Sequence, residues 1–180
     1  MLYNLRRIRK FFDQDSMKAI VHACVTSKLD YCNSLLYGLP DSQLYKLQKL
    51  QNTCAKLICN LPRYSHVTPL LRDLHWLPVR QRITFKILII VFKVLHGQAP
   101  NYISEIIKIK SHTHRHNLRS RQDTLLLEIP RIRSKVTLGD RSFLVAAPKL
   151  WNNLPLKIRK SPTLQTFKTL LKTYLFQYAY

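Results

Sequence analysis

Only three glycines, at positions 38, 97 and 139, occur in the chain, against nine prolines. Tight hairpin turns need residues that tolerate a left-handed backbone, so a sandwich or barrel with a turn between every pair of strands has too little material here. Collagen-like and low-complexity chains are excluded by the same composition. Two of the glycines stand where a helical apolar periodicity breaks off, and Pro40 and Pro100 follow them, the usual punctuation after a helix C-terminus. A mainly α fold is expected, with at most one or two short strands.

Behind Asp13 and Asp15, Met17, Ile20, Val21, Cys24 and Val25 recur at helical spacing and predict a helix over 16–37. Asp41 is expected to cap a second helix over 41–60. Its apolar stripe is Leu44, Leu47, Leu50, Cys54, Leu57, Ile58 and Leu61, and Lys46, Lys49 and Lys56 share the opposite face. A short turn begins at Thr68-Pro69, and Pro78 opens a third helix to about residue 96. There Ile83, Ile87, Ile90, Val91, Val94 and Leu95 face a core, while Arg82, Lys86 and Lys93 fall on one strip. A shorter amphipathic helix is predicted over 100–110, a polar linker with His112, His114 and His116 over 111–121, and a short strand over 125–130. Asp140 is expected to cap a helix to about 153 that bends or restarts at Pro148. A last helix from Pro162 buries Leu164, Phe167, Leu170, Leu171, Tyr174, Leu175 and Tyr178.

The charge decides which partners are available. Thirty Lys and Arg against nine Asp and Glu leave a formal +21, and three successive 60-residue stretches contribute +5, +8 and +8. No separable basic tail carries the excess. With 46% hydrophobic residues the chain has a core to form, and a compact body of this charge repels itself until a polyanion meets it. Nucleic acid is the first expectation and an anionic membrane surface the second, for which Lys168 and Lys172 opposite Phe167, Leu171 and Tyr174 offer a basic amphipathic helix. The candidate phosphate contacts are Lys46, Lys49, Lys56, Arg82, Lys86, Lys93 and the cluster Arg131, Arg133 and Lys135, with Tyr64, His66 and Tyr102 as stacking groups.

Catalysis finds little support. Two-metal nucleotidyl transfer needs converging carboxylates, and the only close pair, Asp13 and Asp15, reads better as helix-capping residues. No Gly-rich phosphate loop, serine elbow or metalloprotease histidine pair is present. Cys24 and Cys32 are eight apart and Cys54 and Cys59 five apart, outside the two-to-four-residue gap of zinc knuckles, so buried thiols are expected and no metal or cofactor site. The start, 1–12, lacks the apolar run and cleavage site of a signal peptide. The longest apolar stretch, 83–95, is broken by Lys86 and Lys93 and falls short of the roughly 20 residues of a membrane span. An intracellular protein of nucleus or cytoplasm, with reduced cysteines and no small-molecule substrate, is the expectation.

Five stretches in order carry a resemblance. They are LDYCNSLLYGLP (29–40), LQKLQNTCAKLI (47–58), LHWLPV (74–79) with Arg82-Ile83, FKVLHGQAPNY (92–102), and GDRSF (139–143) with AAPKLWNNLP (146–155). Together they resemble the part downstream of the polymerase core in LINE-type, non-LTR retrotransposon reverse transcriptases of the jockey and chicken-repeat kind. The resemblance implies thumb-like helices over 1–61 and the element's C-terminal region beyond them, which the pattern of residues divides into a helical extension over 62–110, a basic linker or loop over 111–135 and a C-terminal helical segment over 136–180. It implies a fragment whose palm, with the metal-binding Tyr-x-Asp-Asp tetrad, belongs upstream; no such tetrad occurs in this chain. The expected role is then non-catalytic binding of template RNA and target DNA with low sequence specificity, or service as an accessory to a separate palm-bearing chain. Trp76 and Trp151 fall in these motifs, and their apolar surroundings favour core packing.

Overall fold

The computed structural model describes residues 2–110, 125–130 and 137–180. The fold is mainly α. Among the described residues no strand forms, and one isolated antiparallel bridge joins Ile109 to Leu127. No helix among them is long and apolar enough to cross a membrane. Two compact units result: Met1–Ile83 with Leu175–Tyr180, and Thr84–Tyr174. The division falls inside a continuous helix, while the segment 111–135 lies largely outside the described residues.

In the first unit, α1 (Leu2–Ile8) runs into a 3-10 turn, and α2 (Gln14–Val21) starts where the Asp13 carboxylate accepts the Ser16 N–H at 3.3 Å. Hydrogen bonding from Ser16 holds that carboxyl below its ordinary range, against a smaller opposing effect of burial. A π-helical stretch, His22–Thr26, then leads into α3 (Ser27–Asp30). The apolar positions 17, 21, 25 and 29 recur every four residues, a spacing that drifts by about 40° per step on an α-helix. The wider π turn absorbs that drift and keeps Val25 and Leu29 on the face of Met17 and Val21.

The helix predicted to reach residue 37 stops at Asp30, because Tyr31 is extended and Cys32 takes a left-handed φ of 48° before a 3-10 turn at Asn33–Leu36. Helix α4 (Asp41–Ile58) ends two residues before the predicted 60 and also differs from its prediction at its start. Pro40 holds the capping position, its carbonyl accepting the N–H groups of Gln43 and Leu44, and Asp41 is the first helical residue instead of the cap. Its carboxylate pairs with Arg80.

Three helix ends share one closing motif, in which a left-handed residue lets two N–H groups turn back onto the last carbonyls. At α4, Leu61 N–H meets the Lys56 carbonyl and Asn60 N–H the Leu57 carbonyl. At α5 (Thr68–Asp73), Trp76 N–H meets Leu71 and His75 N–H meets Arg72. At α6 (Val79–Leu95), Gln98 N–H meets Lys93 and Gly97 N–H meets Val94. Asn60 and His75 occupy the left-handed region at φ 54° and 52° without being glycine, so only the third stop was marked by one. Arg9 adds to the end of α4 by donating Nε to the Leu57 carbonyl and Nη2 to that of Ile58, both at 3.0 Å.

Met17, Val21, Cys54, Ala55, Ile58 and Leu71 centre the core of this unit. Tyr180 closes it: its hydroxyl donates to the Trp76 carbonyl at 2.7 Å, and Arg72 donates to the Tyr180 carbonyl at 2.9 Å. Burial pushes the Cys54 thiol from 9.0 up to about 11 and, against weaker pulls from Arg82 and Arg72, the Tyr180 phenol from 10.0 up to about 12. Both groups stay neutral in the fold and ionise more readily once unfolded. The unfolded chain therefore binds fewer protons between about pH 9 and 12, and stability is lost as pH rises through that window. Urea midpoints measured from pH 8 to 11 should fall less steeply above pH 9 in Cys54→Ala than in the parent chain; equal slopes would mean that the thiol is not the responsible group.

The second unit holds the rest of α6, with Ile87, Leu88, Val91 and Phe92 buried. After Pro100 only a single helical turn, α7 (Asn101–Ser104), forms where a helix to residue 110 was predicted. Residues 108–110 extend instead, with Lys110 N–H on the Leu126 carbonyl and Glu128 N–H on the Lys108 carbonyl, each at 2.9 Å. The predicted strand over 125–130 is reduced to this bridge, since the Asn152 amide takes the place of a further strand by accepting from Leu127 N–H and donating to Leu127 O. Next come α8 (Thr137–Arg141) and α9 (Phe143–Asn152). The restart falls at Ser142, whose ψ of 145° is extended, and not at Pro148, which α9 accommodates in its interior. Asp140 lies within α8 and pairs with Lys149 at 3.0 Å instead of capping a helix.

Two helices complete this part of the chain, α10 (Leu156–Arg159) and α11 (Leu164–Ala179), the second capped by the Thr163 hydroxyl accepting Thr166 N–H at 3.2 Å. Phe167 and Leu171 are buried in the second unit and Leu175 in the first, whereas Tyr178, expected inside, is 79% exposed. Trp151 is fully buried, with its ring 5.8 Å from that of Phe167, which stacks on Phe92 at 4.4 Å.

Candidate nucleic-acid interface

On α4, Tyr45, Lys49, Asn52, Thr53 and Lys56 fall at offsets of four, seven, eight and eleven, so the helix turns them to one side, away from buried Leu44, Gln51, Cys54 and Ile58. On α1, Tyr3 and Arg6 are three apart and share a face. The loop after α4 brings up Arg63, whose carbonyl accepts the Lys56 ammonium. This contact ties the loop to the last turn of α4, where a cation also complements the helix dipole.

These elements enclose a groove of about 480 Å³ with Leu2, Leu57 and Val67 among its lining residues. Four cations, Arg6, Lys49, Lys56 and Arg63, line it together with Asn52 and Thr53, and among the described residues no carboxylate does. Tyr3 and Tyr45 are 73% and 64% exposed there. A second recess of about 570 Å³ shares Tyr45 but carries the Asp41–Arg80 ion pair in its lining, which makes it a poor receptor for phosphate.

The structure brings together only part of the expected basic set. Lys49 and Lys56 line the groove, and exposed Lys46 stands one residue round the helix outside it. Arg82 is engaged elsewhere: only 15% of its side chain is exposed, Nη1 donates to Asp30 at 2.8 Å, Nε donates to the Leu77 carbonyl at 2.9 Å, and its guanidinium lies 5.8 Å from the Trp76 ring centre. Lys86 is exposed and Lys93 half-buried, both in the second unit. Arg131, Arg133 and Lys135 lie outside the described residues, as do His112, His114 and His116. Tyr64 and His66 are exposed near the groove in sequence, but neither lines it, and Tyr102 is exposed in the second unit.

Sequence reasoning passed over Arg6, Arg63, Tyr3 and Tyr45. Tyr45 was legible, being four residues before Lys49. Arg6 and Arg63 are more than 50 positions apart, and only the packing of α1 beside α4 makes them neighbours. Among the described residues no three His, Cys, Asp or Glu side chains come together as metal ligands would. No family model matches the chain, and no curated protein or solved structure is significantly similar to it.

Proposed function

We propose that the chain binds RNA and DNA through their phosphates, without catalysing their synthesis, as a part of a non-LTR retrotransposon reverse transcriptase downstream of its palm. The observation that carries the binding is the groove of Arg6, Lys49, Lys56 and Arg63, which four cations line with no carboxylate among its described lining residues. Surface lysines spaced at random on a +21 chain repel one another. Their convergence is stabilising once phosphates lie between them and the condensed counterions are released. The retrotransposon assignment is supported by the five ordered motifs, and a palm-bearing chain is the protein partner it implies.

Titration of labelled RNA and duplex DNA at increasing salt tests the binding. About six phosphate contacts, four of them from the groove, would give a log–log slope near −5 on duplex DNA. Salt-insensitive binding, or a preference for anionic vesicles over either nucleic acid, would reject this reading.

A further inference from the structure

The two tyrosines of the groove are not explained by phosphate binding. Tyr3 and Tyr45 come from different helices, both line the same cationic recess, and each leaves most of its surface open to solvent. A tyrosine hydroxyl can donate to a phosphate oxygen, but the face of its ring plays no part in that contact. What an open aromatic face among cations accepts is another flat ring, with its charged backbone held alongside.

In a duplex each base has both faces covered by its neighbours in the stack, and a protein reads it by inserting a convex element into the grooves. Here the site is concave. A duplex laid across it would offer only its outer phosphates, and the rings would meet no base. An unpaired strand can turn its bases inward while its phosphates follow the rim. Asn52, within the same lining, has its amide oxygen engaged by Gln48 Nε2 at 2.8 Å and offers its NH2 as a donor to a base edge.

We infer that the groove between α1 and α4 selects single-stranded nucleic acid, seating unstacked bases on Tyr3 and Tyr45 while Arg6, Lys49, Lys56 and Arg63 hold the flanking phosphates. The inference rests on the nucleic-acid reading of this groove and adds the strandedness of the ligand.

The test uses the full chain and three fluorescein-labelled 15-nucleotide probes: a mixed-sequence single strand, the corresponding duplex, and a single strand with abasic sites along its centre. The parent chain should bind the single strand about tenfold or more tightly than the duplex. Tyr3→Ala/Tyr45→Ala should lower single-strand affinity about tenfold or more, leaving duplex affinity and the salt slope unchanged, and Tyr3→Phe/Tyr45→Phe should restore it because the ring is what stacks. The abasic strand should bind the parent chain as weakly as the intact strand binds the alanine variant. Circular dichroism should be unchanged in both variants, since neither side chain is part of the core.

Equal or tighter duplex binding would overturn the inference and leave the phosphate reading in place. So would an alanine variant that keeps full single-strand affinity. Loss of both ligands alike in that variant, with unchanged circular dichroism, would also overturn it. Absence of salt-dependent binding to any of the three probes would reject the phosphate reading itself, and the inference with it.

Discussion

Trp151→Ala is expected to lower the stability of the chain by about 4 kcal/mol, the middle of the usual range for removal of a buried aromatic side chain. Three losses add up. The indole is fully buried, so its removal leaves a cavity that surrounding helices fill only in part. Its ring packs against Phe167, which in turn stacks on Phe92, so a gap at 151 loosens a three-ring column. Its Nε1–H donates to the Leu125 carbonyl at 2.7 Å, and Leu125 sits at a φ of 101°, a backbone state unfavourable for a leucine and held by its surroundings. Trp151→Phe keeps a ring but removes the donor, and should cost less than the alanine change. Urea unfolding followed by circular dichroism measures both; an alanine variant within about 1 kcal/mol of the parent would mean that the column does not support the second unit.

Charge reversal of the groove should have the largest effect on binding. Lys49→Glu/Lys56→Glu removes two phosphate contacts and places two carboxylates in a recess whose described lining residues include none. The salt slope on duplex DNA should become shallower by about 2, and affinity at low salt should fall roughly 100-fold. Because the Lys56 ammonium also holds the Arg63 carbonyl, part of that loss comes through the loop. Lys49→Glu alone, at an exposed position with no such contact, should still change the slope by about 1. The parallel reversal at Arg131, Arg133 and Lys135 serves as the comparator. If it flattens the slope while the Lys49/Lys56 variant leaves it unchanged, the phosphate contacts belong to that cluster and the groove is not the interface.

The helical class, the long helices 41–58 and 79–95, and the final helix followed directly from apolar spacing and from proline and glycine punctuation. These are local signals, set by which side chains share a face within a few turns and by which residues cannot continue a helix. The same locality placed exposed Lys49 and half-buried Lys56 away from the buried face of α4, and it favoured a packing role for Trp151.

Where the reading departed from the structure, a distant partner decided. Residues 108–110 pair with 126–128 instead of prolonging a helix, because those partners and the Asn152 amide satisfy backbone groups that a helix would otherwise have satisfied. Arg82 sits on the same helix strip as Lys86, yet Asp30, 52 positions away, draws it into an ion pair. Arg6 and Arg63 join the groove only because α1 packs beside α4. Sequence periodicity determines which face of each helix is charged and which apolar; it carries no record of which charged faces will meet. That choice is made when helices dock, since burial of apolar area brings the faces together whatever their charges, and the cations at the edge of that contact are left to define a site.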